Sequence, residues 1–261
     1  MSKKIKVKNV REAEWGPDDN GNMTLKLDDI KTDEFPTVSI VTVTKDRRKL
    51  FSMAIHCWSM FVYPNNKIEW VILDDGKEDI TDLIDELNDD RVRYIKCDPL
   101  AIGAKRNKAV MLAKYDIIIN MDDDCYYFPD SVLAKVRIMK TYNAKCVYSH
   151  NLGVYDSKNN TSCILEDFRD VPEASMAFTR SFWSHRKFGK FVKGKERESD
   201  SLVCGKESKM VKICFWFNMI TILHSSNSTS HLSIKTTKEA PNFYQLVFNP
   251  KVRKILDSWN I

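Results

Sequence analysis

Residues 115–129, YDIIINMDDDCYYFP, hold the pattern that most limits how this chain can fold. Ile117, Ile118, Ile119 and Met121 form the short apolar run of a strand buried on both faces, and the run stops at Asp122, Asp123 and Asp124. A strand covered on both sides belongs to a layered α/β domain, so a buried strand delivers three carboxylates to one sheet edge. Side chains alternate along an extended chain, which places Asp122 and Asp124 on one side and Asp123 on the other. Two such oxygen donors suit a hard divalent cation, and the mutual repulsion of three acids is a cost that a cation or several N–H donors offsets. A solvated acidic turn ahead of the next helix has the same composition, since Asp favours turns and helix starts. The surrounding chain has to decide between them.

That chain alternates. From Thr37, TVSIVTV is a β-branched run, and residues 46–63 then carry Leu50, Phe51, Ala54, Ile55, Trp58 and Phe61 at helical spacing. IEWVIL and RVRYIK read as the next strands, separated by the helical ITDLIDEL, and GAKRNKAVMLAKY reads as the helix before DIIINM. Such alternation predicts a mostly parallel sheet with helices on both faces and ligands at the carboxyl ends of its strands. PDSVLAKVRIMKT predicts a helix with Pro near its first turn, and AKCVYS a strand leading into a polar hairpin or loop near 150–162. Regularity then breaks into short strands (SMAFT, VKICF, MITILH), a helix around 180–187 and a flexible charged loop, GKFVKGKERESD. The chain divides into a polar lead-in over 1–35, one domain over 36–232, and a terminal segment over 233–261, whose apolar spacing predicts a helix packed back on the domain.

Composition narrows the class of function. A chain of 261 residues with 43% hydrophobic content can bury a real core, and 41 basic against 36 acidic residues leave a mild +5. That balance gives no ground for nucleic-acid binding, although anionic small molecules suit it. Seven cysteines without a CxxC pair argue against a zinc knot or a disulfide framework and point to a reducing, cytoplasmic setting. The basic start MSKKIKVKN has no apolar run behind it, and residues 211–223 are too short and interrupted to span a bilayer.

The second strand also ends in acids, Asp74-Asp75-Gly76. An ordinary strand-to-helix turn explains Asp-Gly, but two acidic strand ends on one edge also fit a carboxylate that accepts hydrogen bonds from a ribose or a base N–H. Gly103-Ala104-Lys105-Arg106-Asn107 opens a helix, where N–H groups and two cations can meet a base or a phosphate. Neither GxGxxG nor GxxxxGK[ST] occurs, which removes the main support for dinucleotide and Walker-type sites. The acidic cluster late enough to lie across the cleft is Glu196, Glu198 and Asp200.

Taken in order, TVSIVTVTKDR, IEWVILDDG, GAKRNKAVMLAKYDIIINMDDD, a charged ExD segment and a late HSSN resemble the GT-A glycosyltransferases, in particular the inverting family 2, over residues 36–232. The resemblance implies a Rossmann-like αβα sandwich with a mostly parallel central sheet. Its nucleotide-binding half covers 36–125 and its mixed, acceptor-side half 126–232. It implies a nucleotide-diphosphate-sugar donor with Thr44, Asp74, Asp75, Arg106 and Asp123 around the nucleotide. Asp122 would lie near the ribose, and a divalent ion, Mn2+ or Mg2+, would sit on Asp124 together with Asp122. Relatives carry a metal-binding histidine where His224 stands, and an ED- or EG-type pair that supplies the base. Here that pair is split as Glu198-Ser199-Asp200, and the sequence leaves open which of Glu198 and Asp200 takes the acceptor hydroxyl proton. The acceptor so implied is a glycan or glycoconjugate. Phe182, Trp183 and Trp216 could stack on a sugar, although core packing suits at least two of them.

Two other functions compete. A sugar-1-phosphate nucleotidyltransferase shares a similar sheet but needs a Gly-rich, Arg-containing loop after the first strand, which VTVTKDRRKL lacks. A non-catalytic nucleotide-sugar-binding domain would keep the nucleotide edge and dispense with Glu198 and Asp200. Donor base, sugar, acceptor and oligomeric state are not written in these patterns.

Overall fold

The computed structural model describes residues 10–27, 30–166, 170–189, 198–225, 227 and 237–259. Val38–Thr44, whose β-branched sequence favours extended backbone, is buried at every position and lies in the interior of the large sheet. It pairs in parallel with Ile68–Asp74 on one side and Ile117–Asn120 on the other. The register sets Thr44 opposite Asp74 and Val41 opposite Asn120. The carboxyl ends of all three strands, and the acids just past Asn120, therefore meet at one edge.

From edge to edge the large sheet runs through Arg11–Glu12, Met210–Ile213, Cys146–Ser149, Ala177–Thr179, Ile117–Asn120, Val38–Thr44, Ile68–Asp74 and Val92–Lys96. Its pairings are parallel except the two made by Ala177–Thr179. Because that strand runs the other way, the 3-10 turn before it, Glu173–Ser175, arrives at the carboxyl edge of its neighbours.

Alternation along the central strands feeds two cores. Val38, Ile40, Trp70 and Ile72 face a cluster with Phe51, Cys57 and Trp58 of helix Phe51–Met60, Val132 and Ile138 of helix Ser131–Thr141, and Leu256 and Trp259 of helix Pro250–Trp259. Val41, Val43, Val71 and Leu73 face Ala109 and Val110 of helix Ile102–Leu112, with Phe182, Trp183 and Leu202 beside them. The chain is the expected αβα sandwich around a mostly parallel sheet, and Phe182 and Trp183 belong to its core. Among the described residues no helix is long and apolar enough to cross a membrane.

A second sheet runs through Thr237–Glu239, Thr161–Leu165, Leu152–Asp156, Met219–Leu223 and Cys125–Tyr127. Its last strand is not evident in the sequence, where CYYFP reads as the approach to a helix. The antiparallel pairing of Thr221 with Cys125 brings the start of one strand, Asp124, next to the end of the other, His224. Two further differences concern the acids. The triplet is not extended: its strand ends at Asn120, and Asp123 and Asp124 form a turn. Glu198 and Asp200 stand on a short helix, Glu198–Val203, rather than in a flexible loop. The rest of the charged stretch, 190–197 with Glu196, lies outside the described residues, as do 1–9 of the lead-in.

Candidate active site

The turn after Asn120 sends the three carboxylates to different partners. Asp123, almost wholly buried, accepts from Thr44 Oγ1 at 2.5 Å and from Arg47 Nη1 at 2.8 Å. Asp124 Oδ2 accepts from the same Arg47 Nη1 at 2.6 Å and lies 3.2 Å from His224 Nε2. Asp122 turns the other way, into a two-toothed pair with Arg106 at 3.0 and 3.2 Å. Its own N–H donates to Tyr127 Oη, which donates in turn to the Ala174 carbonyl, so the turn is tied to the Glu173–Ser175 segment. The expected pairing of Asp122 with Asp124 is thus replaced by one of Asp123 with Asp124 over Arg47, because the chain leaves the extended conformation before the acids begin.

Burial and the neighbouring Asp124 charge push the Asp123 carboxyl above its usual range, despite Arg47 and Thr44. Burial works the same way on Asp124, but the contacts from His224 and Arg47 outweigh it and hold that group low. On the Arg47 guanidinium, burial is likewise outweighed by Asp123 and Asp124, which raise it further above its ordinary value. The main-chain N–H of His224 donates to Asn227 Oδ1 at 2.6 Å, Asn227 Nδ2 lies 3.1 Å from His224 Nε2, and the ring meets Trp259 edge-on at 5.6 Å.

Arg106 joins this turn to a second acidic pair. It is enclosed, at 4% exposure, and its charge is felt by Asp122, Glu198 and Glu173. Glu198 opens its helix, buried, with its carboxyl raised by desolvation and then by the adjacent Glu173, against the pull of Arg106. Glu173 Oε1 accepts from Ser199 N at 3.1 Å and Ser199 Oγ at 2.8 Å, while its main-chain oxygen accepts from Asn120 Nδ2 at 2.7 Å. One residue therefore fixes the first turn of the Glu198 helix to the strand end that carries the triplet. Residues two apart on a helix point away from each other, so Asp200 does not share the surroundings of Glu198. Gly103 is required where the two halves meet, since a Cβ there would stand 2.0 Å from the Gly189 carbonyl and 3.4 Å from Glu198 Cγ.

The acids after the second strand are engaged locally. Asp74 accepts from Gly76 N at 2.7 Å, Tyr94 Oη at 2.7 Å and Lys96 Nζ at 3.0 Å. Asp75 accepts from Leu100 N at 2.9 Å and from Lys105 Nζ, which also donates to the Thr44 carbonyl at 2.9 Å. Asp75 and Arg106 are each only 4% exposed. Both lie at the strand-end edge as expected but are enclosed there, so removing either leaves a buried partner charge unpaired, and their loss acts on stability as well as on binding. Asn107 is also structural. Its side chain donates to the Phe188 carbonyl at 2.9 Å and accepts from Trp183 Nε1 at 2.8 Å.

Three residues of the site escaped the sequence reading: Arg47, Lys105 in its role on Asp75, and Glu173. Arg47 had a signal, a basic pair just beyond a buried strand. Glu173 had none without knowledge that the strand after it runs antiparallel. A divalent ion finds an oxygen donor and an imidazole nitrogen 3.2 Å apart in Asp124 and His224, both buried, a mixed set suited to a borderline or hard cation. Among the described residues no third His, Cys, Asp or Glu completes that pair, which leaves room for oxygen ligands from a substrate. An anionic diphosphate can supply them.

The family model described as glycosyl transferase family 2 matches residues 39–197. Among solved structures, a mannosyltransferase from Pyrobaculum calidifontis, PcManGT, in complex with GDP-Man and Mn2+, is similar with a TM-score of 0.58 at 14% identity, over 97% of this chain and 73% of that one. S. aureus TarS 1-349 in complex with UDP-GlcNAc is similar with a TM-score of 0.54 at 11% identity, over 75% of this chain and 62% of that one. A further TarS structure has a TM-score of 0.54 at 10% identity, with 72% of this chain covered and 37% of that one. This chain thus spans less than two thirds of the TarS structures it matches. At such identities the likeness bears on the fold, which is the GT-A architecture expected from the sequence.

Proposed function

The chain belongs to glycosyl transferase family 2, and from that premise we propose that its carboxyl-edge cleft moves a sugar from a nucleotide-diphosphate donor to a hydroxyl of a glycan or glycoconjugate. The observation that carries the reading is the arrangement around Arg106: Asp122 with the neighbouring Asp124–His224 pair on one side, and the buried Glu198–Glu173 pair on the other. Thr44, Asp74, Asp75, Arg106, Asp122 and Asp123 form the wall of the donor site. They act largely through the groups they hold, Asp75 by fixing Lys105 and Asp123 by fixing Thr44 and Arg47.

Asp124 and His224 would hold a divalent cation, Mn2+ or Mg2+, and Asp122 stays on Arg106. When bound, the cation supplies charge neutralisation to the departing nucleotide diphosphate. Glu198 is the general base, its raised pKa matched to removing a hydroxyl proton near neutrality. The hydroxyl oxygen attacks the anomeric carbon as that proton passes to the Glu198 carboxylate, and the bond to the diphosphate oxygen breaks. One displacement inverts the anomeric centre. Asp200, on the other side of the same helix, is the second candidate. The similar structures are complexes with UDP-GlcNAc and with GDP-Man, so both nucleotides belong in a first screen. Seven cysteines, all free, suit a reducing cytoplasm.

A thermal-shift screen with UDP, GDP and their sugars, each with and without Mn2+, tests the proposal. Stabilisation by at least one nucleotide, larger with the ion, is expected. No shift with any of them would count against a donor site.

A further inference from the structure

Two arginines bind the acidic triplet, and they differ in freedom. The Arg106 side chain is 5% exposed and takes both oxygens of Asp122, whereas the Arg47 side chain is 22% exposed and spreads one nitrogen, Nη1, over Asp123 Oδ1 and Asp124 Oδ2. Arg47 stands on the turn after Val38–Thr44, outside any helix or strand. The Asp124 oxygen it holds is the one that faces His224 Nε2 at 3.2 Å. A guanidinium therefore sits on the oxygen that a divalent ion at Asp124 and His224 would use.

We propose that Arg47 is a resident counter-charge that the metal must displace, so that it couples cation binding to donor binding. The inference rests on reading the cleft as a metal-assisted donor site. The guanidinium offsets part of the charge of the two buried carboxylates and keeps them in place while the donor is absent. A divalent ion arriving alone meets the positive charge of Arg47 a few ångströms away, and the repulsion opposes it in this enclosed setting. A nucleotide diphosphate brings negative oxygens that hold the ion and give the displaced guanidinium a new partner in the two-toothed geometry that arginine favours with phosphate. Ion and nucleotide thus bind together far better than the ion alone, and the affinity of each rises by the same factor in the presence of the other.

The test is a Mn2+ titration followed by the paramagnetic resonance signal of the free aqueous ion, for wild type, Arg47→Met and Arg47→Lys, each alone and with saturating UDP or GDP. For wild type, the nucleotide should tighten Mn2+ binding by about tenfold or more. Arg47→Met should bind Mn2+ alone about tenfold more tightly than wild type, with most of the nucleotide coupling gone. Arg47→Lys, which keeps a charge on a shorter reach, should fall between them and decides the matter if the Met variant does not fold. The metal-free Arg47→Met protein should also melt at a lower temperature and recover with Mn2+. Equal Mn2+ affinity and equal coupling in all three proteins would show Arg47 to be only an anchor, with the donor site intact. If none of them binds Mn2+, with nucleotide or without, the metal reading falls and this inference with it.

Discussion

Lys135 lies on helix Ser131–Thr141 with no exposure, its ammonium 5.5 Å from the Tyr127 ring centroid and without a hydrogen-bond partner among the described residues. Burial pulls its pKa down to about 7. Between the unfolded value of about 10.4 and that folded value, the unfolded chain binds a proton that the folded chain does not, so stability falls as pH falls, by about 1.4 kcal/mol per unit. Below about 7 the folded state is charged as well and the penalty stays at its full size. Lys135→Met removes the penalty. Its gain in melting temperature over wild type should grow as pH is lowered from 10 to 7 and then level off; a gain independent of pH would mean that Lys135 is solvated. Glu198 carries the residue-scale prediction for catalysis. Glu198→Gln should lower single-turnover transfer by about two to four orders of magnitude with donor affinity nearly unchanged, and Asp200→Asn should lose far less. The reverse order would move the base to Asp200. The acidic clusters at 74–75, 122–124 and 196–200 were legible because carboxylates group visibly in a sequence. Arg47 and Glu173 were not, because each acquires its role from strand register and direction, which no local pattern states.

At the scale of elements, the alternation of β-branched runs with helical spacing reads through to the central sheet, since strands buried on both faces cannot hide their composition. What did not read through is where those elements end. Three residues, Cys125–Tyr127, form a strand only because Met219–Leu223 offers them a partner, and that pairing alone brings Asp124 to His224. The helix Glu198–Val203 likewise takes its place from Glu173, whose carboxylate accepts the Ser199 N–H and hydroxyl in its first turn. Gly103 tests how tightly these elements are fitted. A methyl there meets the Gly189 carbonyl at 2.0 Å, backbone against side chain, so helix Ile102–Leu112 or the segment ending at Gly189 must shift. Gly103→Ala should cost about 1–3 kcal/mol in urea unfolding and slow transfer through displacement of Glu198. Unchanged stability would show that the contact is loose.

Over the whole molecule, one reversed strand explains why the carboxyl edge carries acids from two halves of the chain. Parallel strands bring Thr44, Asp74 and the triplet to one edge, and antiparallel Ala177–Thr179 brings Glu173 to that same edge from the other half of the chain. Asp122 and the Glu198–Glu173 pair, from the two halves of the chain, then face a common arginine, Arg106. Calorimetric titration of wild type and Asp124→Ala with UDP and GDP, in Mn2+ and in chelator, tests whether this edge is a metal-assisted donor site. Wild type should bind one of the two nucleotides at least about tenfold more tightly in Mn2+ than in chelator, while a folded Asp124→Ala should bind it weakly and equally in both. Equal affinity for wild type with Mn2+, wild type with chelator and the variant would contradict it.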